Sequence, residues 1–294
     1  MTLNQDSSGK SLSILVVGSG TMGGGIAQVA AKAGCSVRLC DVSLDAAQQG
    51  KQRIEASLGR AVEKGYMDAA TAGSTLSRIQ AIGSLGDAGD FDAAIEAVRE
   101  DLTTKRTVFQ QLEAVARDDA LLLTNTSMIS ITSIAEGLRV PARVAGCHFF
   151  NPVPRMALVE VIGGAHTTQE TIKAVADLVA SWGKMPVIVP DTPGFIVNRA
   201  FGMMINEAVF LVQEGVAPSD VDMALKLGLN HPMGPCELLD LVGIDVALDC
   251  AIAMWEQFDR APKFEPCPLL YQMVQEGKLG RKSGQGFYSY NRLC

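Results

Sequence analysis

The sequence is poor in the features that would take it out of the ordinary globular class. Its seven cysteines, at 35, 40, 147, 236, 250, 267 and 294, are odd in number, scattered, and form no C-x-x-C pair. A disulfide framework or a zinc site needs closer, patterned spacing, so buried thiols in a reducing compartment are expected, and no metal. No apolar run approaches the roughly 20 residues that a membrane helix requires. Residues 1–11 are polar, with no apolar stretch before Ile14, which argues for a disordered tail and against a secretory signal. A cytoplasmic location is the resulting expectation. Positive charge is also short: 25 Lys and Arg against 32 Asp and Glu leave a net charge of −7. That balance argues against a nucleic-acid partner, whose phosphates call for an excess of cations. It leaves room for a small phosphorylated ligand, which needs only a local cluster.

What is present is a core-forming composition, 48% hydrophobic and 19% charged. The length suits two domains at about 150 residues each. Residues 13–17 read as a short buried strand, followed at once by Gly18-Ser19-Gly20-Thr21-Met22-Gly23. A helix follows, because Ile26, Val29, Ala30 and Ala33 fall at i, i+3, i+4 and i+7, with Gly34 as its stop. Residues 36–40 return as a second strand ending at Asp41. A strand, helix and parallel strand in succession imply an α/β doubly wound parallel sheet of the Rossmann type. Apolar runs at 93–98, 120–123, 144–150, 158–162 and 187–189 supply further strands. After Asp191-Thr192-Pro193-Gly194 the pattern becomes helices separated by Gly and Pro. The expected division is therefore a sheet domain over 12–190 and a smaller all-helical domain over 191–294.

The first turn carries the first chemistry. Gly18 permits a tight bend, Gly20 lets backbone approach a pyrophosphate, and Gly23 lets helix and strand pack closely. The helix start then offers free N–H groups to an anion. Taken alone the pattern is a glycine-rich turn; after a strand, before a helix, and with Asp41 closing the next strand, it reads as a dinucleotide site. A carboxylate at Asp41 accepts from ribose hydroxyls and repels a 2′-phosphate, and no Lys or Arg occurs in 42–47, so NAD is expected over NADP.

The second constellation is His148-Phe149-Phe150-Asn151-Pro152, with Glu160 beyond it. The run 144–150 makes His148 a strand-end residue, where an open α/β sheet presents its site. Only three histidines exist, and His166 and His231 lie in turn-like sequence. Glu160 is a carboxylate in an otherwise apolar strand and needs a partner; His148 can be that partner.

With these residues in view the chain resembles the L-3-hydroxyacyl-CoA dehydrogenases, including bacterial 3-hydroxybutyryl-CoA dehydrogenases. The resemblance runs from about Ser13 to Tyr290. It rests on the glycine motif at 18–27, Glu96-Ala97-Val98-x-Glu100-Asp101, Asn125-Thr126-Ser127, the His148 segment, Asp191 to Arg199, and Gly284-x-Gly286-Phe287-Tyr288. It implies that His148 and Glu160 are the catalytic pair, with Ser127 and Asn198 on the substrate oxygen. It implies NAD contacts from Gly18, Gly20, Met22, Gly23, Asp41, Glu100, Lys105, Ser127, Asn151 and Lys282. Ser57 and Lys64 would meet coenzyme A, and the protein would be a homodimer through its helical domain. Met128 departs from the pattern, where a second small polar residue is usual, and bears on the acyl pocket. Independently, Arg53, Ser57, Arg60 and Lys64 lie at i, i+4, i+7 and i+11, one stripe of a helix. Ile54, Leu58, Ala61 and Val62 fall on another face. A solvated face is the plain reading of such a stripe; beside a coenzyme A thioester it becomes a phosphate contact. Two alternatives stay open: a dehydrogenase of a free hydroxy acid or sugar acid, and a relative that binds NAD without turnover.

Overall fold

The computed structural model describes residues 11–290, and these divide into two compact units, one ending at Phe195 and the other starting at Ile196. The first holds one eight-stranded sheet. Its strands are β1 (Ser13–Val17), β2 (Ser36–Cys40), β3 (Ile79–Ile82), β4 (Ala93–Glu96), β5 (Leu121–Thr124), β6 (Val144–Phe149), β7 (Leu158–Gly163) and β8 (Met185–Pro190). Their order across the sheet is β3-β2-β1-β4-β5-β6-β7-β8. The helices of this unit are α1 (Thr21–Lys32), α2 (Leu44–Glu63), α3 (Ala69–Ser77), α4 (Leu102–Val115), α5 (Ile131–Ala135) and α6 (Gln169–Ser181).

Strand β1 shows why the sheet is covered on both faces. Side chains alternate across a strand, so Ile14 and Val16 enter one core while Leu15 enters the other, all three fully buried. Its continuous apolar run is the signature of a strand with no solvent face. Gly34, at φ +101°, ends α1 and returns the chain to β2.

Two features differ from the parallel sheet expected. Pairing is parallel throughout except between β6 and β7, which run antiparallel. The link from Phe149 to Leu158 holds no helix, and a parallel crossover needs a dozen or more residues. Strand β3 escaped the sequence pattern: Ile-Gln-Ala-Ile is short, polar at its second position, and lies at the sheet edge. Ser11, assigned to the tail by sequence, donates its hydroxyl to the Gly34 carbonyl at 2.5 Å; residues 1–10 of that tail lie outside the described residues.

The second unit comprises α7 (Val197–Gln213), α8 (Pro218–Gly228), α9 (Pro235–Val242), α10 (Ile244–Gln257) and α11 (Pro268–Gln275). Val209, Leu239, Ile244, Leu248, Leu270 and Met273 form its core. The Gly286-Phe287-Tyr288 segment is held by Asp240, whose carboxylate accepts from the N–H groups of Phe287 and Tyr288, both at 2.9 Å. A Cβ on Gly286 would lie 1.9 Å from Asp240 Oδ1, so only glycine fits there. Among the described residues no helix is long and apolar enough to cross a membrane.

Candidate active site

The turn between β1 and α1 has the shape a pyrophosphate requires. Gly18 sits at φ +100°, and a Cβ there would meet the Ala97 carbonyl oxygen at 2.5 Å. A Cβ on Gly23 would lie 1.8 Å from the Gly18 carbonyl oxygen, so glycine is needed for α1 to pack against the turn. Gly20 faces open space and is the N-cap of α1 without a side-chain cap, which leaves the first N–H groups of the helix to a ligand. Met22 is half-buried against the core behind the turn. Asp41 follows β2; its Oδ2 accepts from Ser19 N at 2.7 Å and Ser19 Oγ at 2.6 Å, and its Oδ1 from Val42 N at 2.8 Å. Burial pushes this carboxyl up, but the bonds from Ser19 and Val42 and the Arg53 charge outweigh it and leave Asp41 below the usual carboxylate range. It is a fixed negative charge beside the glycine turn, as a ribose-binding carboxylate must be.

The Arg53 guanidinium donates to the Ser19 carbonyl at 3.1 Å. Arg53 thus touches the glycine turn, one helical turn before Ser57 on the same face of α2. Helix α2 is 20 residues long, about 30 Å at 1.5 Å per residue. Its first half borders the glycine turn through Gly50 and Arg53, while Ser57, Arg60 and Lys64, in and just after its second half, line a cleft of about 1010 Å³. Ile54 and Leu58 are buried on the opposite face, as expected, and Ala61 and Val62 are only partly covered.

His148 and Glu160 face each other in the β6–β7 register, with Nδ1 2.8 Å from Oε2. Both are buried, at 4% and 1% exposure. The carboxylate at Nδ1 fixes the neutral tautomer with its proton there, which leaves Nε2 with a lone pair. Phe150 and Phe195 flank the imidazole at centroid distances of 4.5 and 5.7 Å. The neighbouring Phe149 N–H donates to Asn125 Oδ1 at 2.9 Å, which ties the end of β6 to the end of β5.

Ser127 is half-buried in the turn after β5, and Glu100 organises that turn. The Glu100 carboxylate accepts from Thr126 Oγ1 at 2.6 Å, Ser127 N at 2.8 Å and Met128 N at 3.0 Å. Partial burial raises its pKa, but the Lys105 charge and these bonds bring the net value below the usual range. Lys105, named from resemblance as a cofactor contact, is only 1% exposed. Its ammonium lies 2.8 Å from Glu96 and 3.2 Å from Glu100. It supports Glu100 from below. The glycine turn, Glu100, Ser127 and His148 thus stand at the carboxyl ends of β1, β4, β5 and β6, the edge where open α/β sheets bind ligands. Asn151 is exposed in the turn after β6. Asn198 is the second residue of α7, and the Lys282 ammonium lies 2.5 Å from Asp245 Oδ2, both in the helical unit.

Two family models cover almost the whole chain: the NAD-binding domain of 3-hydroxyacyl-CoA dehydrogenase matches residues 13–192, and the C-terminal domain of the same enzyme matches 194–290. The chain belongs to the 3-hydroxyacyl-CoA dehydrogenase family. This dehydrogenase is an NAD-dependent oxidoreductase. It is 43% identical over 282 residues to the 3-hydroxybutyryl-CoA dehydrogenase of Clostridioides difficile, covering 96% of this chain and 100% of the relative. The (S)-3-hydroxybutyryl-CoA dehydrogenase of Ralstonia eutropha superposes with a TM-score of 0.91 at 40% identity, covering 95% of this chain and 99% of that one. The 3-hydroxybutyryl-CoA dehydrogenase of Escherichia coli superposes with a TM-score of 0.92 at 42% identity; the match covers 96% of this chain and 61% of that longer one.

Sequence reasoning missed Asn125 as the clamp on β6, although it opens the Asn125-Thr126-Ser127 motif. It also missed that Lys32, Arg155 and Lys184 line the same cleft as Ser57, Arg60 and Lys64. Nothing in the local pattern marks these three, because they come from separate turns and a helix end.

Proposed function

We propose that this dehydrogenase interconverts a 3-hydroxyacyl-CoA, 3-hydroxybutyryl-CoA foremost, and the matching 3-ketoacyl-CoA, with His148 as its acid–base group. The observation that carries this reading is the buried His148–Glu160 pair at the carboxyl end of β6. NAD, when bound, supplies the hydride acceptor, and in its reduced form the donor. In oxidation His148 Nε2 takes the hydroxyl proton as C3 gives up hydride; in reduction the imidazolium returns that proton to the oxygen. Glu160 keeps Nδ1 protonated and stabilises the cation formed. Ser127 and Asn198 are assigned to the substrate oxygen. The backbone of Gly18, Gly20, Met22 and Gly23 is assigned to the pyrophosphate, and Asp41 to the ribose hydroxyls. Glu100, Ser127, Asn151 and Lys282 are assigned to the rest of the dinucleotide, with Lys105 acting through Glu100. Ser57, Arg60 and Lys64 take the coenzyme A moiety, and Arg53 props the glycine turn instead. The names of the relatives support the short acyl chain.

The test is NADH consumption with acetoacetyl-CoA and with free acetoacetate. Turnover of the thioester that falls at least 100-fold in His148→Ala, the low end of the ~10²–10⁴ expected for a positioned acid–base group, is the supporting result. Preference for the free acid would move the assignment to a hydroxy-acid dehydrogenase.

We further propose a homodimer formed through the helical unit. Only Ala208 and Val209 of α7 are buried, although Phe201, Met203, Met204, Ile205 and Phe210 make most of its circumference apolar. Met223, Leu227, Leu229 and Val242 of this unit are 54%, 81%, 59% and 52% exposed. Apolar surface of that extent is stable in water when a partner covers it.

A further inference from the structure

The cleft beside α2 has a charge pattern that the assigned residues do not exhaust. Arg60 and Lys64 come from α2; Lys32 is contributed by the last turn of α1, Arg155 by the β6–β7 turn, and Lys184 by the turn between α6 and β8. Among the described residues none that lines the cleft is acidic. None of these five cations is in an ion pair among the described residues. In a chain of net charge −7, carboxylates were plentiful, yet this cleft is lined without one.

Lys184 differs from the other four. It is only 9% exposed, and its ammonium donates to the carbonyl oxygens of Val153 at 2.6 Å and Met156 at 2.8 Å. An ammonium has three N–H donors, so one remains after these two bonds. Burial, and secondarily the like charge of Lys32, hold its pKa below that of an ordinary lysine. A buried cation without a counter-charge is unfavourable, and a second cation beside it adds repulsion. The arrangement is relieved when the negative charge arrives with a ligand.

We propose that Lys184, assisted by Lys32, is the anion-receiving centre of this cleft. It takes a phosphate of the nucleotide-bearing thioester and so sets the preference for coenzyme A esters over thioesters lacking the nucleotide. The inference rests on the reading of the protein as an acyl-CoA enzyme, and it adds residues outside the α2 stripe to the binding site.

The experiment uses the whole protein with free coenzyme A as a calorimetric probe. In parallel, NADH-linked reduction is followed with acetoacetyl-CoA and with acetoacetyl-pantetheine, which keeps the thioester arm without the nucleotide. Lys184→Met weakens coenzyme A binding and raises KM for acetoacetyl-CoA by about tenfold or more, the low end for a hydrogen bond to a charged group. Its kcat stays near wild type and its KM for the pantetheine ester is unmoved. Lys184→Arg, which keeps charge and donors, restores most of the coenzyme A affinity. Lys32→Met shows the same pattern to a smaller degree, and because Lys32 is exposed this variant decides the matter if Lys184→Met does not fold. Unchanged coenzyme A affinity in both methionine variants overturns the proposal. An equal loss with the pantetheine ester does so too, since it makes Lys184 a strut of the β6–β7 turn. A wild type that reduces neither thioester would instead strike the proposed function.

Discussion

Replacing Glu160 by glutamine isolates the charge of the proposed acid–base pair from its shape. The amide oxygen can still accept from Nδ1–H across the same 2.8 Å, so the ring keeps its place in the β6–β7 register. What is lost is a negative charge beside an imidazole that, as the proposed base, becomes a cation during oxidation. Both groups are buried, at 4% and 1%, so water screens little of that loss. Unit charges about 4 Å apart at an effective dielectric near 20 attract by about 4 kcal/mol. At about 1.4 kcal/mol per factor of ten in rate, Glu160→Gln is expected to lower kcat for hydroxyacyl-CoA oxidation by roughly 10³. The assay is single-turnover NADH formation at saturating 3-hydroxybutyryl-CoA and NAD, with circular dichroism and NADH binding as controls on folding. His148→Ala should lose at least as much, and the double variant little more, because the two side chains act as one unit. A Glu160→Gln enzyme that keeps more than about a tenth of wild-type kcat would refute the reasoning, since a loss of about one factor of ten is worth only about 1.4 kcal/mol.

Three other outcomes follow from the geometry. Asp41→Ala should raise KM for NADH about tenfold or more, the worth of a hydrogen bond to a charged acceptor, and narrow the preference over NADPH; a wild type with equal kcat/KM for both cofactors would show that this carboxylate does not select. Glu100 has its pKa lowered in the fold, so its contribution is present above the ordinary carboxylate range and is lost as pH falls through the lowered value. The Tm gap between wild type and Glu100→Gln should therefore be widest at neutral pH and close on acidification, and a gap independent of pH would mean that the charge is idle. Sedimentation at micromolar concentration should give a dimer, and charged residues at Leu227 and Leu229 should shift it to monomer without unfolding the sheet unit, as read by NADH binding.

Strands β1 and β2 could be read from sequence to the residue: β1 is an apolar run buried on both faces and closed by Gly18, and β2 buries Val37, Leu39 and Cys40 and is closed by Asp41. The glycine turn and Asp41 were equally legible, since their local spacing is itself the physical requirement for a tight bend and close backbone approach. Periodicity also placed Arg53, Ser57, Arg60 and Lys64 on one face of α2. A helical face says nothing of what stands opposite each of its turns, and only the fold shows Arg53 at the Ser19 carbonyl and Arg60 and Lys64 on the cleft. Strand direction was likewise a tertiary matter: β7 has the sequence of any buried strand, and its reversal is what brings Glu160 opposite His148. The burial of Lys105 under Glu100 and the convergence of Lys32, Arg155 and Lys184 join residues far apart in the chain, each from a segment with no local signature. Propensity and period act over a few neighbouring residues, so the chain by itself determined its strands other than β3, its glycine turn and its candidate acid–base residues. Charge compensation and cleft lining depend on distances across the sheet, and those existed only once its strands had chosen their order and direction.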